Sequence, residues 1–255
     1  MKIYAGNNSH LLDEYSLKDF QELVEILSAA ITDLKKKEQH FQMGREAFLN
    51  MLEDTHEAYN ELKNLFVGLV TAMVNALDAK SPWTKGHSER VAGYAEKIAA
   101  RMGFDEKEIK NLRLSGLLHD IGKIGTYDYL LEKQAGLDDK EYNVVKKHPD
   151  QGARILGGIK QMSEIVPIIR HHHEKVDGTG YPDGLRGKDI PVLAKILHVA
   201  DSFDSMTSDR PYRRAPGIEY AISEFKKYSD IQFDPLVVDV FLEILNKERD
   251  SITVR

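Results

Sequence analysis

All eight prolines of this chain fall at or after Pro82, and the 81 residues before it hold only three glycines, Gly6, Gly44 and Gly68. The N-terminal third therefore lacks the residues that most often end or kink a helix, and it reads as continuous helix. Alternating steps of three and four from Phe20 reach Val24, Leu27, Ile31, Leu34, Phe41, Phe48, Leu52, Tyr59, Leu62, Phe66, Leu69 and Met73, with polar breaks at Glu38, Arg45 and Thr55. A seam of that period faces a partner helix, as in a coiled coil. Two arrangements satisfy it. One is a parallel dimer or signalling-type stalk; the other is an antiparallel hairpin within one chain, turning near the polar stretch Lys35 to Arg45. Residues 1–80 are expected to be this helical segment.

From Ser81 onward the pattern changes to shorter helices separated by Pro and Gly. His87 to Met102 places Val91, Tyr94, Ala95 and Ile98 on one face. Asp105 to Leu118 follows the Gly103 break, with acidic residues at its N-terminal turn, where the helix dipole favours them. Asp138 with Glu141 three residues on forms a capping-box pattern. Val192 to Met206 and Pro235 to Asn246 give two more apolar helices, and alternating strand patterns of useful length are absent. The class is all-α, with a second domain over residues 81–255.

Composition narrows the chemistry. The chain has no cysteine, so a metal here must be held by nitrogen and oxygen ligands. Its net charge of −6 argues against a nucleic-acid polymer as partner. No stretch of 18 apolar residues occurs and the first 14 residues lack a signal-peptide core, so a cytoplasmic chain without a membrane span is expected. A local basic cluster, Arg210-Pro211-Tyr212-Arg213-Arg214, would suffice for a small anion; taken alone, it reads more simply as a solvated turn.

Between His87 and Asp201, imidazoles and carboxylates recur: His87, His119-Asp120, His148, the run His171-His172-His173-Glu174, and Asp201. Imidazole and carboxylate together suit first-row divalent cations, and a carboxylate shared by two of them is a device of phosphodiester hydrolases. One His-Asp pair is weak evidence, because a lone buried histidine is more often a satisfied core residue. The string Leu117-Leu118-His119-Asp120-Ile121-Gly122-Lys123 is stronger, since an apolar helix there ends at glycine and presents a lysine just beyond it.

At this point the chain resembles the HD-GYP family of HD-domain metal-dependent phosphohydrolases. The resemblance rests on Gly86-His87-Ser88, His119-Asp120-Ile121-Gly122-Lys123, His148-Pro149 with Gly152, and His172-His173-Glu174 running into Asp177-Gly178-Thr179-Gly180-Tyr181-Pro182. It continues through Asp201, Thr207-Ser208-Asp209-Arg210-Pro211-Tyr212-Arg213 and Phe233-Asp234-Pro235. It implies an HD-domain helical core with extra C-terminal helices. It also implies that His87, His119, Asp120 and Asp201 hold one metal, while Asp120 bridges to a second held by His148, His172 and His173. In some members a third metal takes a carboxylate four residues before the first histidine. Trp83 stands there, so two metals are expected, iron or manganese, with nickel or zinc able to enter the same donors in a purified sample.

The family spacing favours His172 and His173 over His171, and His198 is expected to be structural or supporting. The resemblance makes Lys123 and Asp120 catalytic and assigns substrate contacts to Lys123, Tyr181, Arg210 and Arg213. Gly178 and Gly180 would allow close backbone approach or positive φ, and Pro182 would stiffen the loop exit. One departure is Thr126-Tyr127, where many relatives carry Ile-Pro. The implied activity is hydrolysis of cyclic di-GMP to pGpG or GMP by a hydroxide bridging the metals. Two alternatives remain, 3′3′-cyclic GMP-AMP as substrate and a non-catalytic dinucleotide sensor. The expected partners are the dinucleotide, a second copy through the N-terminal helices and a signalling protein.

Overall fold

The computed structural model describes residues 11–80, 86–125, 133, 138–209 and 214–253. Among these there are nine α-helices and no strand: α1 (Leu11–Lys80), α2 (His87–Met102), α3 (Glu106–Leu118), α4 (Asp139–Val145), α5 (His148–Gly157), α6 (Val166–His171), α7 (Val192–Thr207), α8 (Ile218–Lys227) and α9 (Pro235–Thr253). The all-α expectation holds. Helix α9 extends past the expected end at Asn246, and no helix among the described residues is long and apolar enough to cross a membrane.

The chain divides into two compact units, Met1–Phe66 and Val67–Arg255, so the second unit begins upstream of the pattern change at Ser81. In the first unit α1 passes through Lys35 to Arg45 without a turn. Its threonines do not interrupt it, because Thr32 and Thr55 donate their hydroxyls to the carbonyls of Ser28 and Met51, one turn back. From Phe20 to Leu62 the apolar seam side chains lie open to water, between 47% exposed at Val24 and 70% at Phe41, so nothing among the described residues covers them.

In the second unit the last turns of α1 bury Val70, Val74 and Leu77. Helix α7 forms the centre. Its Ala194, Ile196, Leu197, Val199, Ala200 and Phe203 are all buried, as expected of a helix apolar around most of its circumference. α2 packs on both α3 and α7. Phe203, Phe225 and Phe241 join α7, α8 and α9, with the Phe203 and Phe241 rings edge to face at 4.9 Å. Two helix starts are fixed by reciprocal capping boxes, Asp105 with Glu108 and Asp138 with Glu141. The Asp138 start places α4 directly before His148.

Candidate metal centre

The candidate ligands sit mostly at helix ends, where the backbone itself can orient them. The last turn of an α-helix leaves carbonyls without an intrahelical donor. His119, His148 and His172 each follow such a turn and each donates from Nδ1 to a carbonyl three residues back: Gly116 at 2.8 Å, Val145 at 2.8 Å and Ile169 at 2.6 Å. A carbonyl can only accept, so Nδ1 carries the proton in all three rings and the Nε2 lone pair is free. His87 opens α2 instead, and among the described residues its Nδ1 meets no carbonyl. Its Nδ1 meets the carboxylate of Asp204 at 2.7 Å, and Asp204 is held in turn by the Arg90 guanidinium, with Nε at 2.6 Å and Nη2 at 3.0 Å.

The free Nε2 atoms converge. His87 and His119 approach to 3.3 Å, His148 and His172 to 3.4 Å, and Asp201 Oδ1 lies 3.4 Å from His87. Two bare lone pairs at such distances repel unless a proton or cation lies between them. Metal–nitrogen bonds of about 2.1 Å at tetrahedral to octahedral angles put neighbouring ligand atoms roughly 3.0–3.4 Å apart, so the donor spacing fits divalent cations. Two of the groups that could hold an ion are His87, His119 and Asp201, and His148, His172 and His173. Asp120 stands between them. Its Oδ2 lies 3.5 Å from His119 and 3.8 Å from His87, while its Oδ1 lies 3.4 Å from His148 and, although buried, has no hydrogen-bond partner. An orphaned buried carboxylate oxygen is costly, and a cation on that side would satisfy it.

The protonation states suit this arrangement. Burial, assisted by the Lys123 charge, lowers His148 to about 4, and burial holds His172 and His173 well below the ordinary histidine value. All three are neutral donors at pH 7. Burial opposes charge on Asp120 and Asp201 too, but the surrounding imidazoles, with Lys123 beside Asp120, keep both carboxyls well below the usual range. His87 behaves differently. Burial would lower it, yet Asp201 and Asp204 together raise it to about 9, so a cation at this position must displace a proton. Lys123 completes the centre, donating to Asp120 Oδ2 at 2.6 Å.

The HD domain family profile matches residues 50–237. The chain belongs to the HD domain family. Its motifs and relatives place it in the HD-GYP branch. It is 37% identical over 185 residues to a 3′3′-cGAMP-specific phosphodiesterase of Vibrio cholerae, covering 72% of this chain and 40% of the relative. It is 33% identical over 225 residues to a cyclic di-GMP phosphodiesterase of Pseudomonas aeruginosa (86% and 54%), and 34% identical over 249 residues to one of Thermotoga maritima (90% and 67%). The chain thus spans 40% to 67% of the length of these curated relatives. Among solved structures, an HDG"Y"P protein from Bdellovibrio bacteriovorus shares the fold at a TM-score of 0.53 and 24% identity, over 66% of this chain and 53% of that one.

The loop that gives the HD-GYP branch its name packs directly on this centre. The Tyr181 ring lies 4.9 Å from the His173 ring, and the Tyr181 amide donates to the His173 carbonyl at 3.2 Å. Gly178 adopts a φ of 80°, and a Cβ on Gly180 would stand 2.3 Å from the Lys175 amide nitrogen, so one glycine serves conformation and the other close approach. Glu174 ties the loop down. Its buried carboxylate accepts from the amides of Asp183, Gly184 and Leu185 at 2.7, 3.1 and 3.1 Å. Sequence reasoning used Glu174 only as a spacing marker and missed Asp204. The signal for Asp204 was its place three residues after Asp201 on α7, the same helix face.

His171 turns away from the centre towards Glu174 and Asp183, with Nδ1 at 3.8 and 3.5 Å from their carboxylates. His198 donates to the His172 carbonyl at 2.7 Å, which gives it the supporting role expected. Trp83, the Thr126-Tyr127 departure, Arg210 and Arg213 lie outside the described residues.

Proposed function

We propose that this chain is a metal-dependent phosphodiesterase that opens a cyclic dinucleotide, with cyclic di-GMP as substrate and pGpG or GMP as product. The observation that carries the reading is the Asp120 carboxylate, which presents one oxygen to each histidine group with Lys123 at its edge. In this assignment His87, His119, Asp120 and Asp201 hold one cation, and Asp120, His148, His172 and His173 hold the other. Iron or manganese suits these nitrogen and oxygen donors. Bound there, the pair would supply Lewis acidity and a water of lowered pKa.

The side chains do the rest. Lys123 is poised to neutralise charge growing on the phosphate oxygens, a preorganised electrostatic role. Tyr181 walls the entry beside His173, its phenol kept neutral because burial pushes its pKa up. Arg210 and Arg213 would bond phosphate bidentately or stack on a base. The relatives' names support the substrate class, and the 37% identity to a 3′3′-cGAMP-specific enzyme favours that compound as the second substrate to compare.

A homodimer through α1 belongs to the same proposal. A 70-residue helix whose apolar seam is exposed gains stability by laying that seam against a second copy. Light scattering on the full chain should give a dimer, and a monomer at micromolar concentration would refute this part. A signalling partner upstream and a cytoplasmic setting accompany the reading.

The deciding assay uses protein reconstituted anaerobically with Fe(II) or Mn(II), with cyclic di-GMP and 3′3′-cyclic GMP-AMP followed by chromatography beside an Asp120→Ala control. Linear product that the substitution abolishes is the expected result. Tight binding without turnover in either metal would overturn the enzyme and leave a sensor.

A further inference from the structure

A cyclic dinucleotide carries two phosphodiesters, and the centre described above accounts for one. The second must remain in water or meet a further cation, and with Arg210 and Arg213 stacked on a base that cation has to come from elsewhere. Lys123 is already engaged at Asp120, but another lysine stands one ring further out. Lys146 caps the C-terminal end of α4, with its amide donating to the Tyr142 carbonyl at 2.9 Å. Its Nζ lies 4.6 Å from the centre of the Tyr142 ring, one turn back on the same helix, and 5.5 Å from the centre of the Tyr181 ring. The Tyr181 ring is the one seated against His173, so a single aromatic ring separates this ammonium from a candidate ligand.

Three features make Lys146 more than a solvated surface lysine. It is half-buried, and no carboxylate among the described residues lies within ion-pair distance of it, so its charge is not neutralised within the described fold. The two rings beside it stand on anchored backbone, although the Tyr142 ring is itself exposed. Tyr142 sits on a capped helix, and Tyr181 belongs to the loop that Glu174 ties by three amides. Two rings that flank a cation without cancelling its charge leave its donors free for an anion, and the same rings offer faces on which a purine can stack.

Resting on the proposed function, we propose that Lys146 binds the phosphodiester that is not being cleaved. With Tyr142 and Tyr181, it makes the centre selective for substrates that carry two phosphates. Lys146 is thus a specificity-determining residue that touches substrate at a distance from the reacting atoms.

The test compares the full-length, metal-loaded wild type with Lys146→Gln and Lys146→Arg on two substrates, cyclic di-GMP and bis(p-nitrophenyl) phosphate, which has one phosphodiester only. A charge-assisted bond at a half-exposed site leads to an expected rise in KM for cyclic di-GMP of about tenfold in Lys146→Gln. The preference for cyclic di-GMP over the small diester should fall by the same factor, with metal content retained and Lys146→Arg restoring most of it. The wild-type KM should also rise more steeply with salt than that of Lys146→Gln. A KM within twofold of wild type, or an equal loss on both substrates, would overturn the role of Lys146 while leaving the phosphodiesterase reading intact. Wild-type protein that cleaves the small diester but neither cyclic dinucleotide would overturn the substrate reading and this proposal with it.

Discussion

Asp204 touches neither substrate nor candidate metal, yet replacing it should weaken metal binding at one half of the centre and spare the other. The carboxylate is 1% exposed and holds the His87 Nδ1 proton at 2.7 Å, which fixes the tautomer that leaves Nε2 bare. In Asp204→Asn the amide oxygen can still accept from His87, but the amide group then turns N–H towards the Arg90 guanidinium, donor against donor. Outer partners of this kind are worth about 10- to 100-fold in metal affinity, or roughly 1.4–2.7 kcal/mol. A second effect runs the other way. Asp204 helps raise His87 to about 9, so at neutral pH the wild-type site must shed a proton to take a cation. Removing Asp204 lightens that competition and offsets part of the loss. The deficit should therefore be smallest near pH 7 and grow as pH rises towards 9, where the wild-type proton no longer competes. Calorimetric titration of apo protein with Mn(II) at several pH values, for wild type and Asp204→Asn, reads both the affinity and its slope. The step assigned to His148, His172 and His173 should stay within about twofold, as these rings are oriented by backbone carbonyls. Equal weakening of both steps, or a deficit that shrinks as pH rises, would refute the reasoning.

Other perturbations separate the remaining roles. Lys123→Met should leave metal content intact and lower kcat by about 10²–10³, the scale of losing one preorganised donor; metal analysis beside steady-state kinetics checks it. Glu174→Ala strips three loop amides of their acceptor, and with charge-assisted bonds worth about 1.5–3 kcal/mol each, an unfolding loss of at least ~2 kcal/mol is expected by urea titration. Gly122→Ala would place a Cβ 2.0 Å from the His148 carbonyl oxygen and 2.6 Å from the Gly152 amide nitrogen. Backbone must move there, so it should cost about 3 kcal/mol and release the cation assigned to His148, visible as roughly half the metal per chain.

Local grammar was legible because it depends on neighbours in the chain. The capping box at Asp138, the acidic first turn after Asp105, the α2 and α7 boundaries and the break at Gly103 follow from residues within a turn of each other. So does the arrangement of His119, whose ring is oriented by the Gly116 carbonyl three residues back, just before the motif. The register of the long helix was legible only in part. The exposed seam runs through Leu69, but the face buried in the second unit is Val70, Val74 and Leu77, one residue out of phase. A helix that meets two different surfaces carries two apolar stripes, and a single period read from Phe20 follows only one of them.

The partners of His87 mark where sequence reading stopped. Sequence separations of 117 and 114 residues divide Asp204 from His87 and Arg90, and no spacing rule spans them. The helix termini nevertheless held a clue of general use. A histidine ligand just after a helix finds a spare carbonyl for Nδ1, as His148 does behind α4 although it also opens α5; His87, at the start of α2, meets no carbonyl among the described residues, and the amides of its own first turn are donors that an Nδ1 proton cannot use. His87, alone among the candidate ligand rings for which such a bond is seen, takes its acceptor from elsewhere in the fold. A carboxylate is the acceptor that also balances a cation. Any HD-GYP chain whose first histidine starts a helix should then place an acidic side chain against Nδ1, and in this chain the face of α7 that carries Asp201 is where that side chain stands.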